Sequence, residues 1–280
     1  MIRHYETDSY LKECRAAVVS CEETQGGWLL ELDESIFFPE EGGQNADTGI
    51  LKPEGSDREI KLLDGQIGKD GRVRYLTEEP IAAGTAVTCL LDFEKRFSRM
   101  QQHSGEHIVS GLVHKTYGYD NVGFHLSDDN LVTLDFNGLL SYEQAMELEM
   151  RANQAVWATL PVWVLFPSRE ELAGLDYRSK KEIDGQVRLV EVGEGKEQID
   201  LCACCAPHVA STCEIGMIRI LQLQNYKGGV RMGILCGKRA LEHEQREWKR
   251  LTDIARSLST GVGQIPESVE ALQQEIDDIL

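Results

Sequence analysis

The chain has 280 residues, 41% of them hydrophobic and 27% charged, a mix that supports a substantial core and excludes a disordered or fibrous protein. No apolar run reaches the roughly 18 residues of a membrane span, and the polar start from Met1 to Glu6 does not read as a signal peptide, so the expectation is a cytoplasmic protein with no membrane partner. The formal charge of −18 works against a nucleic-acid partner, because phosphate contacts rely on Lys and Arg.

Residues 1 to about 90 read as strands. Ala16-Ala17-Val18-Val19, Trp28 to Leu32 and Ala86 to Leu91 are short apolar or alternating runs, punctuated by Gly26-Gly27 and Gly42-Gly43. From about 92 the spacing of Phe93, Phe97, Met100, Ile108 and Leu112 is helical, and Gly118 ends the run. Leu131 to Phe136 alternates as a strand. Ser141-Tyr142-Glu143-Gln144 has the form of a capping box and opens a helix expected to run to Leu160, before Pro161. Val162 to Phe166 and Val187 to Val192 read as strands, and Ile218 to Leu223 with Val230 to Ile234 as a hairpin across Lys227-Gly228-Gly229.

The tail is helical. Leu241, Trp248, Leu251, Ile254 and Leu258 form one stripe, and Val269, Leu272, Ile276 and Ile279 a second at heptad-like spacing. The end at Leu280 lacks a capping signal, which suggests a homodimer contact through these helices or a further domain beyond them. The fold class is therefore α+β: a small N-terminal β-barrel over 1–91, an α+β region with an antiparallel sheet over 92–240, and a helical, coiled-coil-like extension over 241–280.

Cys14, Cys21, Cys89 and Cys236 are scattered, as buried small hydrophobes are, whereas Cys202, Cys204, Cys205 and Cys213 crowd together. In a reducing compartment such a crowd points to metal or catalysis before disulfide. His103-Ser104-Gly105-Glu106-His107 places two imidazoles four apart on one helical face, where both reach a single ion. Cys204-Cys205-Ala206-Pro207-His208 offers a thiolate and a third imidazole at the same separation. His103, His107, Cys204 and His208 are a borderline-soft set that suits Zn²⁺ over Mg²⁺ or Ca²⁺. Four protein ligands fit a closed structural site that staples helix to strand; a three-histidine site with an open fourth position fits catalysis. The spacing admits both.

Three segments, in order, resemble the editing domain of alanyl-tRNA synthetase and its free-standing AlaX-type relatives. Phe37-Phe38-Pro39-Glu40-Glu41-Gly42-Gly43-Gln44-Asn45-Ala46-Asp47-Thr48-Gly49 is similar to the family's F-Y-P-E-G-G-G-Q-P-x-D-T-G. Arg99 to His107 matches its R-M-Q-Q-H-x-x-x-H, and Asp200 through Cys204 and His208 to Gly216 matches its C-x-x-x-H loop and the following T-x-x-I-G. The last element also resembles the editing domain of threonyl-tRNA synthetase. Lys227 to Arg231 and Gly237 to Ala240 fit the same pattern, so the likeness spans about 5 to 240. Glu41 replaces a family glycine, Asn45 a proline, and the extra thiols Cys202, Cys205 and Cys213 leave Cys202 and Cys205 as alternatives to Cys204.

The resemblance implies a zinc-dependent aminoacyl-tRNA hydrolase whose substrate is tRNA(Ala) mischarged with serine or glycine. It also implies that the glycine-rich stretch closes over the site, with Gln44 and Thr48 as catalytic contacts; ordinary turn chemistry accounts for the same two residues. A pocket that pairs with a hydroxyl rejects the analogue lacking it, which favours serine over alanine. Gly123-Phe124-His125-Leu126 is a candidate wall, with His125 its polar member or a core histidine. Such a partner asks for a local basic face, drawn from Arg178, Lys180, Lys181 and Arg188 and from Lys227, Arg231, Lys238 and Arg239; a solvated surface is the alternative. Two rivals stand. His103-x-x-Glu106-His107 fits the inverted zincin motif of a metalloprotease, and a non-catalytic tRNA-binding module with structural zinc fits the same ligands.

Overall fold

The computed structural model describes residues 1–128, 131–179 and 185–279. The chain divides into two compact units, Met1–Gly237 and Lys238–Leu280. In the first unit β1 (Ile2–Arg3) pairs in parallel with β4 (Glu34–Ser35). The strands β2 (Glu13–Thr24), β3 (Gly27–Leu32), β5 (Gly49–Pro53), β6 (Ile60–Ile67), β7 (Val73–Thr77) and β8 (Ala86–Leu91) close into a barrel in the order β2-β3-β7-β6-β5-β8, every pair antiparallel. Alternation explains the closure: Ile60, Leu62, Val73 and Tyr75 are buried while Lys61 and Leu63 face out. The Tyr75 hydroxyl satisfies itself inside by donating to the Phe37 carbonyl at 2.8 Å.

The long helix α1 (Phe93–Tyr117) follows. Asp92 caps its first turn by accepting the Lys95 amide, and Gly118 ends it in the left-handed region at φ 69°. From Arg99 to Val113 every residue is buried, so the polar ones need partners; Gln102, for example, pairs through both amide atoms with the Cys236 backbone. Then come β9 (Asn121–His125), β10 (Val132–Phe136), α2 (Tyr142–Trp157), β11 (Val162–Leu165), α3 (Arg169–Leu172), β12 (Leu189–Val192), β13 (Asp200–Ala203), β14 (Ile218–Tyr226) and β15 (Gly229–Cys236). They form two antiparallel sheets, β14-β15-β10-β9 and β11-β12-β13. The α1 helix packs between them, against β13 and β15, with α2 beside it. The fold is α+β, as read from the sequence.

Two boundaries shift. The Ser141 capping box is present, but α2 stops at Trp157 instead of Leu160, because Thr159 turns left-handed at φ 56° and the Leu160 amide is taken by the Thr212 hydroxyl at 2.8 Å. The hairpin strands extend until Tyr226 faces Gly229, leaving a two-residue turn of Lys227 and Gly228, both at positive φ, as a primed turn requires.

In the second unit, α4 (Gly237–Ser257, entered from the last residue of the first) and α5 (Ile265–Ile279) carry the expected stripes. Leu241, Trp248, Leu251, Ile254, Val269, Leu272, Ile276 and Ile279 are exposed. Leu280 lies outside the described residues, as do Lys180 and Lys181. No helix among the described residues is long and apolar enough to cross a membrane.

Candidate metal centre

The glycine-rich stretch runs antiparallel beside the first three turns of α1, pinned at successive turns. Asp92 donates its amide to the Thr48 carbonyl at 3.0 Å; the buried Arg96 guanidinium holds the Asp47 carboxylate; Arg99 donates to the Ala46 carbonyl; and His103 Nδ1 meets Gln44 Oε1 at 2.7 Å. Gly42 and Gly43 make this possible, with φ of 62° and 87°, and a Cβ on Gly43 would sit 2.4 Å from the Phe124 carbonyl oxygen. Glu41 does not share their positive φ, so its replacement of a glycine costs the turn nothing.

On the other side, β13 feeds the loop of Cys204 to Ala210. Arg188 is buried and clamps it, donating from Nη1 to the carbonyls of Cys204 and Ala206 and from Nε to that of Glu6. Ser104, between His103 and His107 on α1, accepts the Val209 amide at 3.2 Å. These contacts bring His103, His107, Cys204 and His208 together with their ligand atoms within 4.8 Å of one another. Cys204 Sγ lies 3.6 Å from His103 Nε2 and 3.3 Å from His208 Nε2. A tetrahedral zinc with ordinary bond lengths sets sulfur and nitrogen ligands about 3.6 Å apart. The four residues fit that ion.

Each imidazole is oriented from behind. His103 uses Nδ1 on Gln44, His208 on Ser104 Oγ at 3.0 Å, and His107 on Asp200 Oδ2 at 2.8 Å. Asp200 is itself held by Arg178, from Nε to Oδ1 at 2.7 Å and from Nη2 to Oδ2 at 2.8 Å. With Nδ1 engaged in all three, Nε2 is the nitrogen left for a common ion, the arrangement metal-binding histidines usually show. Gly111 sets the approach on the His107 side, since a Cβ there would stand 2.6 Å from the Ile199 carbonyl oxygen and 2.8 Å from Asp200 Cβ.

The electrostatics favour a thiolate at Cys204. Burial works against ionising Cys204, but the neighbouring His103 and His208 hold its thiol well below the usual range. Burial pushes His208 down to about 3. The same burial depresses His107, yet the Asp200 hydrogen bond and the Cys204 sulfur outweigh it and carry that imidazole up to about 10.

Of the three candidate thiols, Cys204 joins the histidines. Cys202 belongs to an overlapping group with His107 and Asp200, and Cys205 is turned toward Gly42, where a Cβ would lie 3.8 Å from its sulfur. Gln44 reaches the cluster. Thr48 does not: it seats the start of α1, eleven residues and about 16 Å of helix before His103. His125 is also elsewhere, exposed on β9, because strand alternation turns its neighbour Phe124 inward, with that ring 4.7 Å from the His103 ring. Three of the basic residues drawn from the charge pattern have partners within the first unit. Arg178 and Arg188 turn inward, and Arg231 pairs with Asp135. The residues the pattern missed are Asp200, Arg178 and Ser104, whose roles depend on tertiary contact.

Residues 187–232, from the lead-in to β12 to β15, match the family model described as the threonyl and alanyl tRNA synthetase second additional domain. The chain is similar to the alanyl-tRNA editing protein AlaX-L of Pyrococcus horikoshii, with 29% identity over 99% of this chain and 67% of that protein. It is similar to the alanyl-tRNA editing protein Aarsd1-B of Xenopus laevis, at 27% over 99% of this chain and 68% of that one. An alanine–tRNA ligase of Halobacterium salinarum is 31% identical over 98% of this chain, which spans 30% of the ligase.

Proposed function

We propose that this chain, a homologue of AlaX-type alanyl-tRNA editing proteins along nearly its whole length, is an aminoacyl-tRNA hydrolase acting in trans on tRNA(Ala) mischarged with serine, and also with glycine. The observation that carries the reading is the pairing of the four-residue cluster with a buried amide donor. Gln44 Oε1 is committed to His103, which fixes the amide and leaves Nε2 buried without a partner among the described residues. A buried donor in that state asks for an acceptor from outside.

His103, His107, Cys204 and His208 would hold Zn²⁺, which when bound supplies a Lewis acid or an anchor for the substrate. Gln44 Nε2 donates to the ester carbonyl oxygen, where negative charge grows as water adds; such a donor is worth about 10²–10³ in kcat. Phe124, packed on His103, forms an apolar wall that keeps bulk water from the same side. The stripes of α4 and α5 serve as a homodimer contact, in the cytoplasm.

The test is release of amino acid by the full chain carrying one equivalent of zinc, with Ser-tRNA(Ala), Gly-tRNA(Ala) and Ala-tRNA(Ala) compared. Serine and glycine should be released and alanine spared, and Gln44→Ala, assayed at saturating zinc because losing the His103 partner also costs about 10–100-fold in metal affinity, should lower kcat by about 10². No serine release from folded, zinc-loaded protein ends the reading and leaves the binding module. One observation keeps the protease alive: Glu106 Oε2 lies 3.8 Å from His107 Nε2. Its Oε1 accepts from Ser110 and Asn121, which suits a structural carboxylate. Glu106→Gln would abolish proteolysis and leave deacylation within a few-fold.

A further inference from the structure

His107 stands at the junction of two overlapping sets of metal-binding side chains. The first is the cluster with His103, Cys204 and His208; the second is His107, Asp200 and Cys202, whose ligand atoms also lie within 4.8 Å of one another. Imidazole has a nitrogen on each side of the ring, so His107, once its Nδ1 proton is released to solvent to give the imidazolate, can serve one ion through Nε2 and another through Nδ1. Carboxylate, thiolate and imidazole together are a competent set for Zn²⁺ or Co²⁺. Ions can also approach. A cleft of about 810 Å³ is lined by Asp200, Cys202, Arg178, His114, Tyr177 and Gln198, so the second set forms part of its wall.

What occupies Asp200 is Arg178. Its guanidinium takes Oδ1 through Nε at 2.7 Å and Oδ2 through Nη2 at 2.8 Å, while Oδ2 also accepts from His107. The carboxylate is 2% exposed and the arginine side chain 12%. A planar fork that cannot lose its proton matches a carboxylate in a way the single ammonium of lysine does not.

We propose that Arg178 is a positioning residue that keeps the metal centre mononuclear. By taking both oxygens of Asp200 it holds that carboxylate as the acceptor for the His107 Nδ1 proton, and it denies Asp200 and Cys202 to a second cation. This rests on the reading of the four-residue cluster as a metal centre, and the experiment separates the two.

Metal-free full-length protein is titrated with Co²⁺, whose visible bands report coordination geometry and whose near-ultraviolet absorption reports thiolate ligands. The wild type should bind one equivalent. Arg178→Ala should bind a second, with added thiolate-to-cobalt absorption that disappears in Arg178→Ala/Cys202→Ser. Arg178→Lys, which reaches one carboxylate oxygen only, should also take a second equivalent, at least about tenfold more weakly than the alanine variant. Asp200→Asn keeps an acceptor for His107 and removes the competing ligand, so it should bind one equivalent, about 10–100-fold more weakly than wild type. Circular dichroism confirms folding, and if the alanine variant does not fold, the lysine variant decides alone. One equivalent in the folded Arg178 variants, with wild-type affinity and spectrum, overturns the proposal, as do two equivalents in the wild type. A wild type that binds no Co²⁺ overturns the metal-centre reading itself.

Discussion

Asp47→Asn tests whether the glycine-rich stretch is held on α1 by charge. The Asp47 carboxylate is 1% exposed and pairs with Arg96, at 0%, through Oδ2, which also accepts the Phe38 amide at 2.7 Å. Arg96 has further bonds to the carbonyls of Ser9 and Ile36, but among the described residues no second carboxylate pairs with it. Removing one partner of such a pair leaves a buried charge uncompensated, which costs about 3–5 kcal/mol. Asparagine retains an acceptor, so the lower end, about 3 kcal/mol, is expected. For a unit of this size that lowers Tm by about 6–12 °C. The double variant Asp47→Asn/Arg96→Met removes the stranded charge too and should be more stable than the sum of the single losses predicts, by more than about 1 kcal/mol. Urea unfolding of the four proteins measures the cycle. A cost below about 1 kcal/mol for Asp47→Asn, or additivity within about 0.5 kcal/mol, would refute the argument. Gln44 is three residues away in the same stretch, so deacylation should fall along with stability.

Cys204→Ser should abolish stoichiometric zinc binding, whereas Cys202→Ser and Cys205→Ser should retain one equivalent; elemental analysis of the purified variants decides. The Asp128 carboxyl gives a pH test away from the metal. Burial would raise it, but Arg99 and Lys95 hold it below the ordinary carboxylate range. A lowered folded value means its stabilisation is complete above the unfolded value near 3.9 and is lost as pH falls through the folded one. The stability gap between wild type and Asp128→Asn should therefore be steady near pH 6 and shrink below about pH 4; a gap unchanged to about pH 2 would contradict it. Gly111→Ala places a methyl group against fixed backbone at Ile199, so about 1–3 kcal/mol should be lost together with zinc affinity, despite alanine's better helix propensity. Wild-type zinc affinity in that variant would show that Asp200 does not depend on this approach.

The parts of the site visible in the sequence are those fixed by local geometry. His103 and His107 share a helical face whatever surrounds them, and Cys204 and His208 share one loop. Choosing Cys204 over Cys202 and Cys205 required the register of β13. Alternation sends Asp200, Cys202 and Cys204 toward α1 and Cys205 the other way, toward Gly42. The same alternation moved the inward role on β9 from His125 to Phe124. Thr48 was misplaced because four residues of extended chain, running antiparallel to a helix, carry it about 13 Å from Gln44. The helical spacing of Asp92, Arg96, Arg99 and His103 marks the face that receives the stretch, but only the pairing direction tells which of its residues meets the histidines. Arg178 and Arg188 read as surface charge because a linear pattern does not distinguish a solvated cation from one turned inward onto carbonyls or a carboxylate.

The three Nδ1 partners arise from separate parts of the fold. Gln44 comes from the stretch between β4 and β5, Ser104 from α1 itself, and Asp200 from β13. The cluster therefore assembles only when the barrel loop, the helix and the second sheet are in register together. Metal affinity then reports on all three packings, since an ion that binds the folded state alone adds about 2.7 kcal/mol of stability at a hundredfold excess over Kd. The linkage runs both ways. A substitution far from the ligands, at Asp47 or Gly111, weakens the ion by loosening one partner, and the ion in turn holds barrel and sheet to the same helix. Separate binding and structural roles for the centre are thus one free energy divided by description, and only a bond broken or left intact in the substrate adds something to it.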